Sequence, residues 1–284
     1  MNRLKMKFYK FCLIFLMSSC SYSAQIKEIV SLHEARTVLE NLDENALVVF
    51  DVDETLIIAE DKIRRKNPEH VISHFNALHF DMLIKDADYK EHFDSLILNS
   101  ARQALIEAES VSIINMLQAK KIKTIALTHM HAGAYGLIPS MEEWRFKQLY
   151  NLGINFWLNN DQAITFYDLP AIRNAYPLFY KGILVTARGC SKGELLSAFL
   201  NYLDWKPSMV VFFDDNYCHI ESIDKEMAHA HIPCILFHYR ATEIINEPID
   251  FDPAAFQYHY LFMHEKWLSD VDAKLLMDDE KNYT

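Results

Sequence analysis

Three acidic side chains crowd into four positions at the end of an apolar run: Asp51, Asp53 and Glu54 in VVFDVDETL, residues 48–56. Like charges this close repel one another unless a cation sits among them. A second acidic pair, Asp214 and Asp215, closes VVFFDD, residues 210–215. Clustered carboxylates suit a hard divalent ion with all-oxygen ligands, Mg²⁺ above all. With that ion to lower the repulsion, Asp51 can attack the phosphorus of an incoming ester. Asp53, two residues on, can then protonate the leaving oxygen. Thr128, which ends KTIALT, and Lys192, in SKGELL, offer a hydroxyl and an ammonium to hold phosphoryl oxygens.

The surrounding pattern predicts elements that bring these groups together. ALVVF, KTIALT, SMVVFF and IPCILFHY are short apolar runs of the kind that form strands buried on both faces. INFWL, residues 154–158, reads as a further strand between the second and fourth, and residues 163–188 as a β-hairpin. Ser31 with Glu34, and Ser191 with Glu194, are capping boxes that open helices. SMEEWRFKQLYNLG is helical and stops at Gly153. ARQALIEAESVSIINMLQAKK reads as one helix, as does 254–276, with a solvated tail after it. Strands alternating with helices predict an α/β fold with a parallel sheet. Ligands of such sheets bind beyond the carboxyl ends of the strands, where Asp51, Asp53, Thr128 and Asp214 are expected to lie. Residues 57–110 read as a helical insertion after the first strand, a cap over the acidic cluster.

FDVDETL resembles the first motif of the haloacid dehalogenase (HAD) superfamily of aspartyl phosphatases. TIALT, SKGELL and VVFFDD are similar to its second, third and fourth motifs, in that order. The resemblance covers most of residues 45–240 and extends to an uncharacterised family of secreted bacterial HAD proteins. It implies a Rossmann-like sheet with helices on both faces. It makes Asp51 the nucleophile that forms an aspartyl-phosphate, and Asp53 the general acid and then base. The metal set it implies is Asp51, Asp53 through its backbone carbonyl, Asp214, and Asp215 directly or through water. Thr128 and Lys192 become the phosphate-binding pair. The expected activity is Mg²⁺-dependent hydrolysis of a small phosphomonoester. An interaction protein that keeps the HAD scaffold with little turnover is the alternative.

Two positions have rivals. Thr186, in GILVTARG, also ends an apolar run, but taking it as the second-motif residue leaves no third strand before the fourth. Lys181 competes with Lys192, which is preferred because it opens the helix directly before the fourth strand. His129 and His131 flank the expected phosphate site; the expectation is one pocket-lining and one structural histidine, not a metal pair.

The first 24 residues stand apart. Four cations without an acid, then FCLIFLM, then SSCSYSA, match a secretory signal, and the apolar run is short for a membrane span. Export to the periplasm or beyond is expected. Membrane attachment is expected only if Cys20, in LMSSC, is lipidated. Residues 25–284 then form one phosphatase domain with 24 basic and 39 acidic residues, a net charge of −15. That balance argues against nucleic-acid binding. Cys190, Cys218 and Cys234 lack metal-type spacing; one disulfide among them, or free thiols, are both open.

Overall fold

A computed structural model describes residues 24–65, 87–156, 163–245 and 247–282. The signal segment and the centre of the 57–110 insertion therefore lie outside the described residues. The chain is α/β, with a mostly parallel central sheet of order β1-β10-β9-β2-β5-β8-β7-β6. Its strands are β1 (Gln25–Ile29), β2 (Leu47–Phe50), β5 (Lys123–Thr128), β6 (Ile164–Thr165), β7 (Leu178–Tyr180), β8 (Ile183–Val185), β9 (Val210–Asp214) and β10 (Cys234–Tyr239). From β1 to β8 all neighbours run parallel; β7 and β6 are antiparallel additions at one edge.

Continuous apolar runs form the central strands because helices cover both faces. Along β2, Val48 and Phe50 face one core and Leu47 and Val49 the other. Leu32, Leu39, Ile113, Leu117 and Leu149, from the helical segments before β2, directly before β5 and after β5, fill the first core. Leu195, Phe199, Ile223 and Met227, from helices Lys192–Tyr202 and Tyr217–His229, fill the second. Phe50 stacks on Phe213 at 4.8 Å, and Phe213 on Phe237 at 4.8 Å, a ladder across β2, β9 and β10.

Both capping boxes form as the sequence predicts, at Ser31 and Ser191. Several expectations need correction. Ile154–Phe156 form no strand; the remainder of INFWL lies outside the described residues. The third parallel strand is β8, which pairs with β5 and ends just before Thr186. Among the described residues no strand lies between Thr186 and β9, so the strand-count objection to Thr186 stands, with β8 and not INFWL as the intervening strand. Residues 163–188 are not one hairpin. β7 and β8 form a tight hairpin through Lys181 and Gly182, both at positive φ, and β6 adds outside β7. A Cβ on Gly182 would meet the Phe156 carbonyl at 2.2 Å, so the turn needs glycine for space as well as for φ.

The insertion is not wholly helical where it is described. β3 (Ile57–Ala59) and β4 (Gln103–Leu105) pair antiparallel, and helix Ala87–Ser100 lies between them in sequence. β4 occupies the start of the segment expected to be one helix, which begins only at Glu109. The C-terminal segment is two helices, Phe251–His264 and Asp270–Asn282, broken at Glu265 with φ 52°. Much of the expected tail is the end of the second. Phe93, Ile97, Leu261 and Trp267 make a small separate core joining the insertion to these helices. Asp61 locks that junction: it accepts from Trp267 Nε1 at 2.8 Å and from the Asp270 N–H at 2.9 Å.

Candidate active site

The chain leaves β2 in one direction through β5 to β8, and later returns on the other side as β9 and β10. The carboxyl end of β2 is thus a switch point, where neighbouring connections diverge and leave a crevice. Asp51 follows β2, Thr128 ends β5 and Asp214 ends β9. The sheet register sets them side by side: Phe50 pairs with Ala126 on one side and Phe213 on the other.

Lys192 closes the floor. It opens helix Lys192–Tyr202 behind the Ser191 cap, and its ammonium is fully buried. The ammonium donates to Asp51 Oδ1, and to Asp214 Oδ2 at 2.6 Å. Gly193 permits this placement, since a Cβ there would meet the Ser222 carbonyl of helix Tyr217–His229 at 2.0 Å. Thr55 donates to Asp51 Oδ2 at 2.9 Å. The Asn216 N–H donates to Asp214 Oδ1 at 2.8 Å, at a helix start where a carboxylate is favoured. His219 Nδ1 stands 3.2 Å from both Asp214 oxygens.

Burial pushes Asp51 up, and Asp214 and Asp215 add to the rise; Lys192 opposes it. Burial also works against the Asp214 charge, but Lys192 and His219 prevail and hold that carboxyl low. Lys192 loses solvation yet is held high by Asp214 and Asp51. Two buried carboxylates share one ammonium, so the floor carries an excess of negative charge. Oxygens of Asp51, Asp214 and Asp215 lie within 4.8 Å of one another, a set of hard donors that fits Mg²⁺. The Asp53 carboxylate is not in that set; it lines the cleft instead.

Asp53 is clamped by a residue that the sequence reading missed. Arg145 Nη2 donates to both Asp53 oxygens at 2.8 Å, and Thr128 Oγ1 lies 3.4 Å from Oδ2. Arg145 shares the buried face of its helix with Met141 and Leu149, at positions i, i+4 and i+8. A lone cation in an apolar stripe was the available signal.

The rivals separate. Thr186 sits one strand beyond Thr128, donating its N–H to the Thr128 carbonyl at 3.1 Å, and its hydroxyl meets His129 Nδ1 at 2.9 Å. Lys181 lies on the β7–β8 turn, 3.3 Å from Glu143 and over the Phe146 ring, and takes no part in the floor. His129 lines the cleft, its pKa lowered to about 4 by burial, then by His219, Arg188 and Lys192. His131 stacks on Tyr135 at 4.6 Å. Cys190, Cys218 and Cys234 are free thiols.

A cleft of about 480 Å³ opens over Asp51, Asp53 and Asp215, rimmed by Arg64, Trp144 and Arg145. Residues 28–274 match the family described as "Protein of unknown function (DUF2608)". The chain belongs to that family. It is similar to an uncharacterized protein of Rickettsia prowazekii (strain Madrid E), 25% identical over 243 residues, covering 86% of this chain and 87% of the relative. An uncharacterized protein of Rickettsia felis is 29% identical over 155 residues, 52% of each chain. One of Rickettsia conorii is 26% identical over 146 residues, 50% of this chain and 49% of the relative. The family match spans every residue of the floor. No described helix is long and apolar enough to cross a membrane.

Proposed function

We propose that this chain is an exported, HAD-type, Mg²⁺-dependent phosphomonoester hydrolase with Asp51 as nucleophile. The observation that carries the reading is the buried floor, in which Lys192 contacts both Asp51 and Asp214, with Asp215 alongside. A structural ion pair needs one carboxylate per ammonium. A second and third, converging on one edge of the sheet, suit a cation and a phosphoryl group.

Asp51, Asp214 and Asp215 would hold the ion, which supplies positive charge against which the carboxylates and an incoming phosphate dianion coexist. Lys192 holds Asp51 in place and offers a further cation to the phosphoryl oxygens. The Thr128 hydroxyl would donate to the same group. Asp51 attacks phosphorus through a carboxylate oxygen, and the ester P–O bond breaks. Asp53 gives its proton to the departing alkoxide, leaving an aspartyl-phosphate. Water then attacks that phosphorus, Asp53 takes the water's proton, and phosphate leaves with the Asp51 carboxylate restored. The net change is ester plus water to alcohol plus inorganic phosphate. Arg145 aims Asp53 at the cleft, where a leaving group would stand.

The test is hydrolysis of p-nitrophenyl phosphate with and without Mg²⁺, by the wild type and by Asp51→Asn. Turnover that needs Mg²⁺ and vanishes in the variant supports the reading. Equal turnover in the variant removes Asp51 as nucleophile. No turnover on a broad panel of phosphomonoesters would favour an interaction protein on the same scaffold.

A further inference from the structure

Beyond Asp53 the crevice continues into a second cleft of about 350 Å³, which shares Asp53, Arg64, Leu98, His129, Trp144 and Arg145 with the first. Its charge is unlike that of the protein around it. The chain as a whole carries −11, yet Arg64, Lys90, Arg145 and Arg188 all line this space. Its carboxylates are already matched: Asp53 faces Arg145, and Asp94 accepts from Lys90 and from the Tyr135 hydroxyl. Arg64 and Arg188 remain, and neither has a carboxylate partner among the described residues. Two guanidiniums that line one cleft without a carboxylate partner among the described residues repel one another, an arrangement that an anion between them would relieve.

Arg188 lines the second cleft and not the first, so its charge is set apart from the Asp51 floor. Its backbone is also held in a costly shape. Ala187 and Arg188 have φ of 50° and 57°, two successive left-handed residues without a glycine. The Arg188 N–H donates to Thr186 Oγ1 at 3.2 Å, and the Gly189 N–H to the Thr186 carbonyl at 3.0 Å, which fix the turn. Strain of this kind persists where surrounding contacts impose it, often beside a ligand.

We infer that the substrate is a phosphomonoester whose leaving group carries a second anionic group, phosphate or carboxylate, bound by Arg64 and Arg188 in the second cleft. This rests on the phosphatase reading for the first anion, which would sit at Asp51. The ester's alcohol portion would pass Asp53 and Trp144, and its far anion would meet the two guanidiniums.

The experiment uses matched pairs. Glycerol 3-phosphate is compared with 3-phosphoglycerate, which adds a carboxylate, and fructose 6-phosphate with fructose 1,6-bisphosphate, which adds a phosphate. Calorimetric binding and turnover are both measured, with Mg²⁺ present. The member with the extra anion is expected to bind roughly tenfold more tightly in at least one pair, as charge-assisted hydrogen bonds require. Which pair responds tells carboxylate from phosphate. The Arg64→Met/Arg188→Met double variant should bring that ratio close to one, while Arg188→Lys should keep part of it; thermal melts check that each variant is folded. A wild-type ratio near one in both pairs overturns the inference, as does a ratio that survives in the folded double variant. Binding preference without turnover would sink the catalytic reading and leave the dianion site standing. Turnover without preference does the reverse.

Discussion

At the floor of the cleft, Lys192 faces Asp51 and Asp214, and all three side chains are shut away from solvent. At the mouth, Arg145 is equally buried, but its partner Asp53 keeps 53% of its side chain exposed. The two regions use the same pairing of aspartate with a cation. What differs is access to water, and water decides what each pair can do. The floor cannot relax its charges into solvent, so it depends on a full set of partners. The mouth can, so its ion pair contributes little to stability and leaves half of the Asp53 side chain open to the cleft.

The largest effect should come from breaking the floor. Lys192→Met leaves two buried carboxylates without their ammonium and is expected to cost about 3–5 kcal/mol, read from urea unfolding. Adding Asp51→Asn to that variant should restore part of the loss, because the two side chains are coupled. Strictly additive losses would mean that they are not. Next in size is the metal. Mg²⁺ at about a hundred times its Kd should raise stability by about 2.7 kcal/mol, and Asp214→Asn should abolish that gain. A melting temperature indifferent to Mg²⁺ and EDTA in the wild type would remove the metal from the floor.

Breaking the mouth should do less. Arg145→Met is expected to cost about 1 kcal/mol or less, because its partner is half exposed. A loss as large as that of Lys192→Met would erase the distinction between the two regions. The smallest expected effect sharpens the boundary between them. His129 is held at about 4, against an ordinary value of 6.5, chiefly by burial. The unfolded chain therefore takes up its proton first as pH falls. The stability tied to the neutral ring is present above pH 6.5 and is lost as pH falls towards 4. His129→Gln should lose less stability than the wild type between pH 7.5 and 5, measured by urea midpoints.

Local signals in the chain were reliable where a few neighbouring residues suffice. The Ser31/Glu34 and Ser191/Glu194 boxes cap helical segments because each closes its hydrogen bonds within four residues. KTIALT and VVFFD became central strands because burial on both faces leaves an unbroken apolar run. β1, QIKEI, lies at the sheet edge with four of its five residues exposed, so nothing in it reads as core. The sequence pattern puts β8 in a hairpin and INFWL in the sheet. LFY and ILV look alike, and only pairing reveals that ILV lies against β5. The break at Glu265 carries no glycine or proline, and so had no punctuation to read. Arg145 carries no local mark of its role, because its partner lies 92 positions away.

From its residues alone, then, this chain specified an α/β layering and the acidic, hydroxyl and ammonium groups that end up around the floor, because apolar periodicity, caps and clustered charges are properties of adjacent residues. Which lysine reaches Asp51, which cation holds Asp53, and that Arg64 and Arg188 share a cleft were decided by tertiary structure. Those contacts join segments far apart in the chain, and their electrostatics depend on how much water the packed fold excludes.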